Sequence, residues 1–133
     1  NEYDNLIARS GQVGGIIGRG VWADSRLDGF AASPHILRLR PTNQDFPPGY
    51  VYAFLCLTDV GYQLLARTAA GSSIPFLPLD DVLEIKIPTK PSLRQRQEID
   101  ALVKRSGELR KQSQELEMQS VALVESAIAG GAR

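Results

Sequence analysis

The sequence predicts an α+β fold: a small mixed α/β domain over residues 1–90, then a long C-terminal coiled-coil helix within residues 91–133. Three observations predict it. Composition changes sharply at Pro91, with all eight prolines and nine of the twelve glycines at or before it. Short apolar runs of alternating or helical period fill the first part. Beyond Pro91 no proline occurs, only Gly107 interrupts the chain before the Gly130-Gly131 tail, and leucine recurs every seven residues. A chain of 133 residues supports one core and an appendage but not two independent cores.

The elements follow in order. Leu6-Ile7-Ala8 reads as a short strand ending in the turn Arg9-Ser10-Gly11. Val13 to Val21, broken by Gly14, Gly15, Gly18 and Gly20, reads as a bent, glycine-kinked hairpin. His35 to Arg40 alternates as a strand, with Ile36, Arg38 and Arg40 on one face and His35, Leu37 and Leu39 on the other; Pro41 stops it. Gly49 to Ala69 is helical by pattern, an aromatic-rich first helix through Leu57 and a second one capped by Thr58 or Asp59. Gly71-Ser72-Ser73 is a loop. Leu79 to Leu83 allows one helical turn, with Asp80-Asp81 read as capping residues. Leu83, Ile85 and Ile87 then alternate as a strand closed by Pro88.

Ser92-Leu93-Arg94-Gln95 fits a capping box. From it a helix to about Ile128 covers some 37 residues, or roughly 55 Å at ~1.5 Å per residue. Leu102, Leu109, Leu116 and Leu123 recur every seven residues, as do Ile99, Ser106, Ser113, Ser120 and Ala127. Leucine at one seam position and small residues at the other describe a narrow helix-pairing seam, since a helix packed only on its own domain shows a wider apolar face. The alternative is that the helix folds back on the first part alone. Gly107 has no explanation in the pattern; it weakens a helix by about 1 kcal/mol relative to Ala.

Charge narrows the function classes. Fifteen Lys+Arg balance fifteen Asp+Glu, which excludes an all-over basic coat but not a local basic face. Residues 1–67 carry six Arg and no Lys, and Arg favours planar, bidentate contacts with phosphate, carboxylate or guanine. Arg9, Arg19, Arg26, Arg38 and Arg40 therefore either contact nucleic acid or pair with Asp4, Asp24, Asp28 and Asp45. No run approaches a membrane span, and no signal-peptide pattern opens the chain. The start at Asn1 reads as a fragment or a processed product, and a cytoplasmic location is expected.

Catalytic and metal chemistry find little support. The lone Cys56 sits in an apolar stretch and reads as a small core hydrophobe. Ser10 to Gly20 has the glycines of a phosphate loop but not its Gly-Lys-Ser/Thr ending. His35 is the only histidine; it has no metal-ligand spacing around it and no nucleophile beside it in sequence. No catalytic residue, metal or cofactor is expected.

The succession of motifs resembles a known family. Leu6-Ile-Ala-Arg-Ser-Gly-Gln-Val-Gly is followed by Ser33-Pro-His-Ile-Leu-Arg-Leu-Arg-Pro, Tyr50-Val-Tyr-Ala-Phe-Leu, Gly71-Ser-Ser, Leu83-Glu-Ile-Lys-Ile-Pro and Pro91-Ser-Leu-Arg-Gln-Arg-Gln-Glu-Ile. This is similar to the specificity subunit of type I restriction–modification systems: the later half of a target recognition domain and the spacer helix after it. The resemblance covers nearly the whole chain and implies a non-catalytic subunit that reads double-stranded DNA for a methylation-based defence complex. It implies DNA contacts among Arg9, Ser10, Arg19, Arg26, His35, Arg38 and Arg40. Ile99, Leu102, Ser106, Leu109, Ser113, Leu116, Ser120 and Leu123 would pair with an antiparallel helix of the same or another specificity chain. The implied partners are DNA methyltransferase (modification) subunits, which bind S-adenosylmethionine themselves, and motor–nuclease subunits. Two rivals stand beside this reading: an assembly module in which the helix alone acts, and an enzyme using His35 with the glycine-rich loop.

Overall fold

The structure, a computed structural model, describes residues 3–130; residues 1, 2 and 131–133, with Gly131 of the tail, lie outside them. Three short strands form one antiparallel sheet in the order β2-β1-β3: β1 (Asn5–Ala8), β2 (Gly20–Trp22) and β3 (Ile36–Leu39). Leu6 stands opposite Val21 on one side and Arg38 on the other. Alternation decides the faces. Asn5, Ile7 and Leu37 are buried, whereas Val21, Ile36 and Arg38 look outward.

The Val13–Val21 expectation is corrected. The hairpin is β1 with β2, and residues 9–19 form its connection, closed by Ala8 N–H to the Arg19 carbonyl (2.9 Å) and Gly18 N–H to the Ala8 carbonyl (2.9 Å). Gly14 and Gly18 have φ of 82° and 74°, left-handed values that turn the chain instead of extending it. Within this connection Ile17 is fully buried.

Helices cover the inner face of the sheet. α1 (Pro48–Tyr52) runs into a π-helical stretch (Ala53–Leu57), then α2 (Asp59–Arg67) and α3 (Leu79–Leu83) follow. Thr58 is the cap: its Oγ1 accepts from Gly61 N–H at 3.0 Å. Ile7, Ile17, Leu37, Val51, Leu55, Leu65, Leu77 and Val82 make the main core. Asp80 and Asp81 lie in the first turn of α3, yet the cap position is Pro78 and no side-chain cap bond forms. They act there as negative charge at the positive helix end. The expected strand through Leu83, Ile85 and Ile87 does not form among the described residues. Ile85 and Ile87 do pack on the core, so their alternation reports burial. The Ile85 N–H, however, closes a turn onto the Val82 carbonyl (3.2 Å).

α4 (Leu93–Gly130) is 38 residues long, roughly 57 Å at ~1.5 Å per residue. The capping box is present: Ser92 N–H donates to Gln95 Oε1 (2.9 Å) and Gln95 N–H to Ser92 Oγ (3.3 Å). Its base is bolted to the domain at two places. Asp100 Oδ1 accepts the buried Gly49 N–H at 2.7 Å and so caps α1 from another helix. Val103 joins Trp22 and Tyr52 in a second apolar cluster. Gly107 is explained here: a Cβ would come within 3.0 Å of the Trp22 ring, so glycine lets the indole lie against the helix. From residue 112 to residue 130 every position is exposed.

Candidate nucleic-acid interface and helix seam

The seven polar residues singled out from the sequence fall into three places. Arg9, Ser10 and His35 come together at one end of the sheet, where Arg9 N–H donates to the His35 carbonyl (2.7 Å). The Arg9 guanidinium is held by the Leu77 carbonyl (3.2 Å) and lies 5.8 Å from the Phe76 ring centre. His35 Nδ1 meets Ser10 Oγ at 3.2 Å, a contact that a separation of twenty-five residues hid in the sequence. Arg19, from the β1–β2 connection, stacks over Tyr62 at 4.5 Å.

Arg38 and Arg40 form the second place. Both reach Asp4, Arg40 Nε at 2.6 Å and Arg38 Nε at 3.7 Å. The Asp4 side chain is fully buried, while those of Arg38 and Arg40 are 61% and 50% exposed. Burial alone would raise the Asp4 carboxyl, but hydrogen bonding and neighbouring positive charge, with Arg40 the largest contributor, together outweigh it, so the group lies below the usual carboxylate range. Asp4 is therefore ionised. Two guanidinium charges beside one carboxylate leave this trio with one net positive charge, carried on side chains that are at least half exposed. Going from His35 to Arg40 along β3 spans about 16 Å at ~3.3 Å per residue, a distance commensurate with several base pairs of duplex.

Arg26 is apart from both. Its Nε donates to Asp24 Oδ1 and Oδ2 at 2.9 and 3.1 Å, and its Nη2 also bonds Oδ2. The hydrogen bond and charge of Arg26 hold Asp24 below its ordinary range. The fork of Arg26 is thus occupied by a carboxylate, beside Gln114 and Glu117 of α4. Of the pairings weighed from the sequence, Asp4 and Asp24 are used; Asp45 instead offers its carbonyl, to Arg96.

The outer sheet face between these places is apolar. Leu6, Leu27, Phe30 and Ile36 with Arg38 line a shallow hollow of about 240 Å³, and Phe30 is 78% exposed. A sheet face with apolar centre and arginines at its margins can lie against a groove, its guanidinium forks reaching phosphates or base edges. For hydrolytic chemistry the arrangement is poor. The Ser10–His35 pair is open to solvent, and among the described residues no carboxylate bonds the imidazole. Burial pushes the Cys56 thiol up to about 12, which keeps it protonated. No group of His, Cys, Asp and Glu among the described residues could hold a metal, and no helix there is long and apolar enough to cross a membrane.

The row expected to pair with another helix is exposed. Leu102, Leu109, Leu116 and Leu123 are 49–72% exposed, and Ser106, Ser113 and Ser120 are exposed with them. Ile99 is partly covered by the domain. The sequence reading missed Trp22 and Tyr52, whose rings stand 5.5 Å apart and fix the root of α4. The unexplained Gly107 was the signal that pointed to them. No family model and no curated protein matches the chain.

Proposed function

We propose that the chain is a non-catalytic DNA-reading unit of the type I specificity-subunit kind, its sheet facing duplex DNA and α4 setting the distance to a second unit. The observation that carries this reading is the Arg38–Asp4–Arg40 trio: two half-exposed arginines, neighbours on one outward strand face, with a buried carboxylate beneath. A lone surface arginine is ordinary. Arg40 hydrogen-bonded to a buried acid, with Arg38 at ion-pair distance from the same carboxylate, sets two cations side by side for a polyanion, and the anchored Arg40 loses less side-chain freedom on contact. Arg9, Ser10, Arg19 and His35 extend the contact toward the other end of the sheet. In this reading DNA methyltransferase subunits bind S-adenosylmethionine and methylate an adenine flipped out of the stack, and the setting is cytoplasmic.

The test is Arg38→Ala with Arg40→Ala, assayed by duplex binding across salt concentrations. Loss of two phosphate contacts lowers the slope of log K against log salt by about 2. An unchanged slope and affinity would exclude the trio from the interface. A second reading, an assembly module without DNA reading, draws on the bare outer half of α4. It predicts that this double substitution changes nothing, whereas Leu109→Asp with Leu116→Asp breaks assembly under both readings.

A further inference from the structure

The hollow on the outer face of the sheet is apolar except at one edge. Strand pairing sets its base: Leu6 stands opposite Arg38 and Ala8 opposite Ile36, so Leu6, Ile36 and Arg38 share one face. Ala23, 1% exposed, closes the bottom. The segment before β3 supplies the wall. Phe30 N–H closes a turn onto the Leu27 carbonyl (3.3 Å), and Gly29 takes a left-handed φ of 81°. The turn leaves the Phe30 ring 78% exposed, with Ala31 and Ala32 exposed beside it. Among the residues that line this space of about 240 Å³, Arg38 alone carries a polar side chain. Apart from one guanidinium, the lining side chains offer a partner no hydrogen bond. They recognise only an apolar group.

We infer that this hollow seats the 5-methyl group of a thymine in the major groove, beside the base or phosphate that Arg38 holds. The inference rests on the DNA reading above and names a base that reading leaves open. Charge selects the kind of partner. The Arg38–Asp4–Arg40 trio brings one net positive charge to the edge of the hollow, so an anionic surface is drawn against an apolar one. Chemistry selects the group. Of all that the four base pairs display in the major groove, the thymine methyl is the one apolar feature, and alanine and phenylalanine are among the side chains that meet it. The minor groove displays none. Shape agrees: an apolar wedge that unstacks a base step projects, whereas Phe30 walls a concave space that receives a projecting group. Arg38, 61% exposed with its Nε 3.7 Å from Asp4, stands ready for guanine O6 and N7 or for a phosphate. Two residues of β3 separate Ile36 from Arg38, about 6.6 Å, which corresponds to about two base steps. The thymine and the arginine contact therefore belong to the same short stretch of the half-site.

Replacing thymine by deoxyuridine tests this, because it removes the methyl group and keeps every hydrogen bond of the base. The full chain is titrated with the duplex it selects from a random library, and with copies carrying deoxyuridine at one thymine at a time. The Phe30→Ala variant is titrated beside it. The selected motif is expected to contain thymine, and deoxyuridine at one position should weaken wild-type binding about fourfold. The variant should bind the thymine and deoxyuridine duplexes alike, with thermal unfolding unchanged because the ring is exposed. A motif without thymine, or deoxyuridine tolerated at every position, overturns the seat and leaves the DNA reading standing. A variant that keeps the full deoxyuridine penalty overturns it too. So does one that weakens on both duplexes while the penalty persists, the result expected of a wedge. A folded wild-type chain that binds no duplex removes the DNA reading and the seat together.

Discussion

At the residue scale, several single groups have sharp consequences. Asp4 and Asp24 are both held below the ordinary value of 3.8: in Asp4 hydrogen bonds and positive charge, Arg40 foremost, together overcome burial, and in Asp24 the Arg26 bond dominates. The stability these pairs supply is fully present above the unfolded carboxylate value and is lost as pH falls through the lower folded values, because there the unfolded chain binds more protons. Arg40→Ala should therefore move the acid-unfolding midpoint to higher pH, read by circular dichroism between pH 2 and 6, with little change in shape near neutrality. Glycine contacts give a second prediction. A Cβ on Gly61 would fall 1.9 Å from the Phe54 carbonyl oxygen, and one on Gly49 would fall 2.9 Å from the Asp100 Cα. Both glycines lie in helices, where alanine is favoured by about 1 kcal/mol. Gly61→Ala and Gly49→Ala should nevertheless each destabilise by roughly 1–3 kcal/mol in denaturant titrations. A gain in stability would mean that the helices do not approach as closely as described.

At the scale of elements, the division of α4 predicts what truncation does. Residues 112–130 touch nothing that buries them, whereas Asp100, Val103 and Gly107 join helix to domain and Lys111 Nζ still reaches Ser25 Oγ at 3.3 Å. A chain ending after Lys111 should keep its domain stability to within about 0.5 kcal/mol and lose assembly. Much of this layout was legible beforehand. The capping box, the long helix after it and the β3 alternation all rest on local spacing, and all three are present. What failed depended on neighbours. Ile85 and Ile87 alternate as a strand does, but among the described residues no strand pairs with them. The glycines of residues 11–20 signal turning without saying where the chain resumes pairing, and only the Leu6–Val21 register answers that. The Ser10–His35 contact and the Trp22–Gly107 packing join distant segments, so no local pattern encodes them.

Across the whole molecule, a small sheet-bearing domain carries a long projecting helix; the proposed function gives the arginine-edged face the reading of DNA and the helix the spacing. An antiparallel pair of such chains has two-fold symmetry, with the sheets at opposite ends of the helices. The expected DNA target is then an inverted repeat interrupted by a fixed spacer, and helix length in α4 sets that spacer. The central claim is that the Arg38–Asp4–Arg40 face reads duplex DNA. Its most direct test is selection from a random duplex library at two salt concentrations, using the full chain and its Arg38→Ala, Arg40→Ala variant side by side. The account predicts enrichment of a short interrupted motif by the wild-type chain, stronger at low salt and lost in the variant. A folded wild-type chain that enriches no motif, or a variant that enriches the same motif equally well, would contradict it.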